Sequence, residues 1–308
     1  MKMKNREIFL QKTIVVWLGA LICCFLWGSA FPGIKMGYQL FEISSSDTAT
    51  QILFAGYRFS LAGIFSILLG SILSKKLLIP SKNSLPKIFK LCLLQTVAQY
   101  VFFYVGLAHT SGVKASIIEA MNVFIAIIVA SLLFRQETLS IRKIVGCIIG
   151  FAGVVLINLN GNGMKLDFSL LGDGFIFFST VAYAFSSVCL KRYSKSENPV
   201  MLSGYQFICG GLIMIFSGYI MGGNITHFSP SSMKILVYLA LVSAVAYSLW
   251  GILLKYNPVS RVSVFGFMNP VFGVILSAIF LGEAEQAFGI ASLISLVLVC
   301  LGIYIVNK

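Results

Sequence analysis

Arg58 and Glu119 are the ionisable residues whose surroundings set them apart, because each stands deep within a long apolar run. Ionisable groups at membrane depth are costly, and they face a cavity or a partner. Counted from the same side, they lie about eight and about six residues into their runs, roughly 9–12 Å deep at a helical rise per residue. Equal depth allows the two to pair. Two chemistries fit. In one, Arg58 anchors an anionic substrate group while Glu119 takes a cationic group or a coupling proton, which suits a zwitterion such as an amino acid. In the other, they form a buried ion pair that holds two helices in register.

Other polar residues fall near these two. Gln95, Gln99, Gly106 and His109 recur at helical spacing, on or near one face. An amide facing lipid lacks a partner, so this face should point inward. Gln95 and Gln99 then either contact substrate or bridge helices. His109, at the end of its run, reads as a wet surface residue rather than a proton relay. Asn122 follows Glu119 by one turn and shares its face. Trp27, Tyr100, Tyr104, Tyr183, Tyr205, Tyr247, Trp250, Phe265 and Phe267 are interfacial anchors where they lie near run ends. Where they match between the two halves of the chain, they are cavity candidates. The candidate substrate-binding set is Arg58, Glu119, Asn122, Gln95, Gln99, Tyr100, Trp27, Tyr183, Gln206, Tyr247, Trp250 and Asn269.

The elements that carry these residues are membrane spans. The chain of 308 residues is 58% hydrophobic and 11% charged, with mean hydropathy +0.94. A soluble domain is roughly 25% charged. About 20 apolar residues cross the hydrocarbon as a helix. Runs of that kind lie near 14–37, 50–73, 88–108, 113–134, 141–158, 170–190, 199–221, 234–254, 262–281 and 287–306. The expected fold is therefore an all-α integral membrane protein of ten transmembrane helices. Of the 23 Lys and Arg, eighteen fall in the termini and one alternate set of gaps, and four (Lys35, Lys114, Lys165 and Lys234) in the other. The positive-inside rule then places both termini in the cytoplasm. It also explains the net charge of +13 without a nucleic-acid partner. The basic start and the apolar run ending at Gly28-Ser29-Ala30 imitate a signal peptide, but the run is too long.

The chain also repeats itself. Gly56-Tyr57-Arg58-Phe59 matches Gly204-Tyr205-Gln206-Phe207, and Gly63 falls on Gly211. Tyr100 with Phe103 matches Tyr247 with Trp250, Glu137 matches Glu283, and Trp27-Gly28 with Lys35 matches Tyr183-Ala184 with Lys191. Two five-helix halves follow, residues 1–160 and 161–308. Five is odd, so the second half enters the membrane from the opposite side. Inverted repeats of this kind build secondary transporters, whose halves rock about a central site.

At several points the chain resembles the drug/metabolite transporter superfamily, in particular its EamA-type ten-helix members. The matching residues are Trp27-Gly28-Ser29-Ala30-Phe31 with Lys35, Tyr57-Arg58-Phe59-Ser60-Leu61-Ala62, Gly106-Leu107-Ala108 with Thr110-Ser111, and Glu137-Thr138-Leu139-Ser140. Gly146, Gly150-Phe151-Ala152-Gly153-Val154, Asn269-Pro270-Val271-Phe272 and Leu281-Gly282-Glu283 continue the likeness. The resemblance implies carriage of a small metabolite, an amino acid or related compound, across the bacterial inner membrane, with export the usual direction. It implies a central cavity among helices 1–4 and 6–9, with helices 5 and 10 peripheral. The family carries Pro in helix 4 where this chain has Phe124, so a proline hinge is not expected there.

Other functions are poorly served. The chain has two histidines, His109 and His227, no HExxH and no paired acidic motif in a loop, so an intramembrane enzyme is not expected. It has no phosphate-binding GxxxxGK[ST] loop. The seven cysteines sit in apolar runs without a CxxC pair, as small buried hydrophobes do, so neither a disulfide framework nor a metal or cofactor site is expected. The GxxxG pairs Gly33–Gly37, Gly146–Gly150 and Gly218–Gly222 read as close helix contacts, and Glu137 and Glu283 as capping or gating residues. A passive facilitator and an uptake carrier remain the alternatives to an exporter. The partners expected are the small-molecule substrate, a coupling proton and the bilayer, with a homodimer left open.

Overall fold

The structure, a computed structural model, describes residues 8–134, 138–157, 168–257, 262 and 264–307. Glu137 lies outside these residues, as do Lys2, Lys4, Arg6, Arg135, Lys165, Arg261 and Lys308 of the basic residues tallied above. The described regular structure is helical, without a strand. In chain order the segments are α1 (Thr13–Leu40), α2 (Thr48–Ser74), α3 (Lys82–Ala108), α4 (Gly112–Leu133), α5 (Ile141–Ile157), α6 (Leu170–Tyr193), α7 (Pro199–Ile220), α8 (Pro230–Tyr256), α9 (Met268–Leu281) and α10 (Ile290–Asn307). Their starts follow from local chemistry. Asp47 caps α2 and Ser111 caps α4 through their side-chain oxygens. Asn198 with Pro199 starts α7, and Ser229 with Ser232 forms a capping box on α8.

Seven segments, α1–α4 and α6–α8, are long and apolar enough to cross a bilayer. α9 and α10 are shorter apolar helices, and α5 has 17 residues with Arg142 and Lys143 in its first turn. The shortness of α9 has a local cause: a 3₁₀ turn at Val264–Phe267 precedes it, and its α-helical part is 14 residues. Large apolar side chains cover the outside, such as Phe216, Ile279 and Ile290, which are 68%, 67% and 78% exposed. In water such a surface would aggregate; in a bilayer it is solvated.

α2 lies along α7 and α5 along α10. α1 packs on α8 and α9, α6 packs on α3 and α4, and α4 meets α9. Exchanging each helix for the one five places on reproduces every one of these pairings. The same exchange holds for single residues. A Cβ on Gly63 would lie 2.5 Å from the Gly204 carbonyl, and one on Gly56 would lie 2.9 Å from the Gly211 carbonyl. The glycines that exposed the repeat are thus where α2 and α7 touch, and a side chain at either place would force the helices apart. The matched residues Tyr100 and Tyr247 share a hydroxyl–hydroxyl bond of 2.8 Å. Gly146 meets the Gly302 carbonyl in the α5–α10 seam. Gly222 departs from its GxxxG reading: it lies beyond α7 with φ +88°, and a Cβ there would meet no neighbouring helix.

Besides the π-helical ends of α4 (Val129–Leu133) and α6 (Leu170–Gly174), three interruptions in the described helices lie at the cavity. α3 runs as a π-helix over Cys92–Ala98. α4 is broken at Ala120, whose carbonyl accepts from Val123 N in a tightened turn. The third is the 3₁₀ turn before α9. Irregular backbone at membrane depth is tolerated where it is buried in protein or lines a cavity. No proline marks the break in α4. Phe124, at the family's proline position, is 1% exposed and packs against Gly150 of α5.

Candidate substrate cavity

The interruptions border a cavity of about 1170 Å³ between the halves. Eleven of the twelve candidate residues line it: Trp27 on α1, Arg58 on α2, Gln95, Gln99 and Tyr100 on α3, Glu119 and Asn122 on α4, Tyr183 on α6, Tyr247 and Trp250 on α8, and Asn269 on α9. Gln206 does not. It is fully buried between α7 and α3, donates to Gln95 Oε1 at 3.1 Å and accepts from the Thr96 hydroxyl. Its repeat mate Arg58 makes the mirrored contact, donating from Nη2 to Ser243 Oγ at 3.0 Å. Ser243 and Gln95 are themselves repeat mates at the same offset, so this position ties helix to helix in both halves.

Arg58 and Glu119 do not pair, contrary to what their depth suggested. Arg58 is 2% exposed. Its Nε donates to the Leu239 carbonyl at 3.1 Å and its Nη1 to the Tyr104 hydroxyl at 2.9 Å. Its guanidinium also lies 5.1 Å from the centre of the Phe59 ring. The side chain leaves α2 toward α8, whereas Glu119 faces α9. Glu119 accepts from Asn122 Nδ2 at 2.8 Å and from Asn269 Nδ2 at 3.3 Å. Among the described residues, three polar atoms lining the cavity are buried without a hydrogen-bond partner: Trp27 Nε1, Gln99 Oε1 and Asn269 Oδ1. The wall between them is aromatic, with Trp27 edge-on to Tyr247 and Trp250 at 5.5 and 5.1 Å.

The helical stripe on α3 splits. Gln95 and Gln99 line the cavity, but Gly106 packs on Ile176 and Gly172 of α6. His109 is half-buried, with Nδ1 2.9 Å from the Val105 carbonyl.

The cavity reaches the surface at one end. Arg142, Lys143, Lys191, Lys195 and Lys255 line that mouth; sequence reasoning had read them for topology alone. Beside them Lys87 pairs with Glu197 at 2.7 Å. Hydrogen bonds from Lys87 and Ser84 hold the Glu197 carboxyl below the usual carboxylate range. Cys24 and Ser187 also line the cavity. Each lies one helical turn from a predicted residue, Trp27 and Tyr183, and that spacing was the available signal.

The opposite end is shut by polar ties. Glu283 accepts from the N–H groups of Gly112 and Val113 at 3.0 and 2.9 Å, capping α4, with Lys35 Nζ 3.8 Å away. A carboxylate there also complements the positive end of the helix. Asp173 on α6 pairs with Lys114 at 2.8 Å and accepts from the Thr110 hydroxyl at 2.7 Å. Tyr38 donates to the Tyr104 carbonyl at 2.7 Å. Glu283 thus has the capping role expected of it. Among the described residues, no three His, Cys, Asp or Glu side chains cluster as metal ligands would.

Known proteins share this sequence pattern and fold. The model of the EamA-like transporter family matches twice, over residues 14–159 and 170–308. An uncharacterized transporter of Archaeoglobus fulgidus is 27% identical over 299 residues, covering 95% of this chain and 98% of that protein. The uncharacterized inner membrane transporter YedA of Escherichia coli is 27% identical over 299 residues, covering 93% and 91%. A chloroplastic WAT1-related protein of Arabidopsis thaliana is 24% identical over 311 residues, covering 96% and 70%. One crystal structure is similar in fold, with a TM-score of 0.67 at 16% identity over 94% of this chain and 95% of the other. The Archaeoglobus fulgidus and Escherichia coli relatives are named transporters, not enzymes, and the apolar helices make this a multi-pass membrane protein. The chain belongs to the EamA-like transporter family.

Proposed function

We propose that the protein is a secondary transporter that exports a small metabolite, an amino acid or related compound, across the inner membrane by alternating access. The observation that carries this reading is a cavity between two halves, open at one end and tied shut at the other. In this reading all ten helices cross, in two inverted repeats over residues 1–160 and 161–308. The double family match and the symmetric helix pairings support the division. The odd helix count per half and the uneven Lys and Arg distribution support the inversion. Both termini are then cytoplasmic, and the basic mouth opens to the cytoplasm. The name of the relative YedA supports an inner-membrane location.

Within the cavity, Arg58 is the anchor for an anionic group and Glu119 for a cationic one. The two stand apart, so a zwitterion could span them. The test is a panel of amino acids and related metabolites, measured in proteoliposomes with and without a proton gradient. An alternating-access carrier accumulates one class against its gradient. A passive facilitator only equilibrates it, and no flux of any panel member contradicts the reading.

A further inference from the structure

Glu119 is a cavity carboxylate with no cation beside it among the described residues. Among the described residues, the titratable groups that feel its charge include Cys24 from α1, Tyr100 from α3, Tyr183 from α6 and Tyr247 from α8. These are thiols and phenols. α9 has no ionisable side chain, and α10 has no charged one. α5 carries its charges, Arg142 and Lys143, in its first turn at the mouth. Arg58 of α2 is turned toward Tyr104 and Ser243. An uncompensated carboxylate in such a place either takes a proton or awaits a cation.

Asn269 supplies the second observation. Its Nδ2 donates to Glu119, while its Oδ1 is buried without a partner. A charged carboxylate accepts hydrogen bonds and a protonated one must donate. An amide carries both a donor and an acceptor, so half a turn of the Asn269 side chain serves either state. A lysine or arginine there would serve the charged form alone. Glu119 stands directly before the break in α4, and Asn269 stands just after the 3₁₀ turn that leads into α9. The contact therefore joins the two halves at their least regular points.

We propose that Glu119, Asn122 and Asn269 form a carboxyl site that holds either a proton or the ammonium group of an organic amine, one at a time. The ammonium donates to the carboxylate and to Asn269 Oδ1, and Tyr183 and Tyr247 offer ring faces to the cation. On exchange, the Glu119 O–H bond breaks, its proton passes to cavity water, and the ammonium takes the freed carboxylate. That the exchange drives solute movement rests on the transporter reading; the binding site itself does not.

The test uses the purified full chain, with benzylammonium chloride as the probe and benzyl alcohol as the uncharged control. Infrared difference spectra over a pH series should show a protonated-carboxyl band that Glu119→Gln removes while the thermal unfolding temperature is kept. Benzylammonium at fixed pH should discharge that band and release a proton to a pH dye, and benzyl alcohol should do neither. Asn269→Leu should weaken benzylammonium binding about tenfold, or about 1.4 kcal/mol. A band indifferent to benzylammonium, a band unchanged in Glu119→Gln, or undiminished affinity in Asn269→Leu each overturns the proposal. Solute flux with an inert carboxyl removes this site and leaves the transporter. An amine-responsive carboxyl without flux of any solute does the reverse.

Discussion

The two ends of the cavity use charge differently: the open mouth is lined by cations, and the shut end joins acids to lysines and helix N–H groups. The open mouth is lined by Arg142, Lys143, Lys191, Lys195 and Lys255, with no carboxylate in the lining of the mouth among the described residues. The shut end is held by acids, each reaching from the second half to the first. Asp173 on α6 holds Lys114 and Thr110, and Glu283 after α9 caps α4. With ten Asp and Glu in the chain, two such placements are informative. An interlocked apolar seam separates only at the cost of cavities in a close-packed core. Hydrogen bonds and ion pairs at the edge of a membrane protein can instead exchange for water. In the alternating-access reading proposed above, the shut end is the one that reopens, while the glycine seams along α2–α7 and α5–α10 stay packed.

The contrast breaks most sharply at Asp173. It is 1% exposed, and its loss removes the buried negative charge that pairs with Lys114 at 2.8 Å. Asp173→Asn should weaken the shut end by about 3 kcal/mol. That predicts roughly a hundredfold faster labelling, from that side, of Ser187→Cys in a cysteine-free background. Arg58 ties α2 to α8 through the Leu239 carbonyl and the Ser243 hydroxyl. Arg58→Met should lower stability by about 2 kcal/mol, read by thermal unfolding, without favouring either side in the labelling assay. Glu283→Gln keeps an acceptor for the α4 N–H groups but removes the charge. It should weaken closure by about 1 kcal/mol, seen as a severalfold rise in the same labelling rate.

The smallest effect belongs to the open end. Folding depresses the Glu197 carboxyl, so its contribution is present above the unfolded-state value and lost as pH falls through the folded-state value. The pair with Lys87 is partly exposed, so Glu197→Gln should cost under about 0.5 kcal/mol at neutral pH. Wild type and variant should converge in acid thermal melts.

Much of the architecture could be read from the sequence, because lipid imposes long apolar runs and the two halves share glycines that must meet. The cavity residues were legible for a related reason: polar and aromatic groups inside such runs have few places to go. The interruptions were hidden. The break at Ala120 and the π-helix over Cys92–Ala98 contain neither proline nor glycine, the residues that would mark a break in a sequence. The separation of Arg58 from Glu119 was hidden too. Depth along a helix is linear in the sequence, but the direction of a side chain around it depends on neighbours from the other half. Gln206 shows the same limit. The repeat pointed to it through Arg58, yet the mirrored contact with Gln95 keeps it out of the cavity.

The central claim is a pathway closed at one end at a time. Its most direct measurement is the sidedness of Ser187→Cys labelling by a membrane-impermeant maleimide, in oriented vesicles of an otherwise cysteine-free protein. Labelling should be fast from the face carrying Arg142 and Lys195 and absent from the opposite face, and Asp173→Asn should admit the reagent from both. Equal labelling from both faces with Asp173 intact, or labelling from the opposite face alone, would contradict the claim.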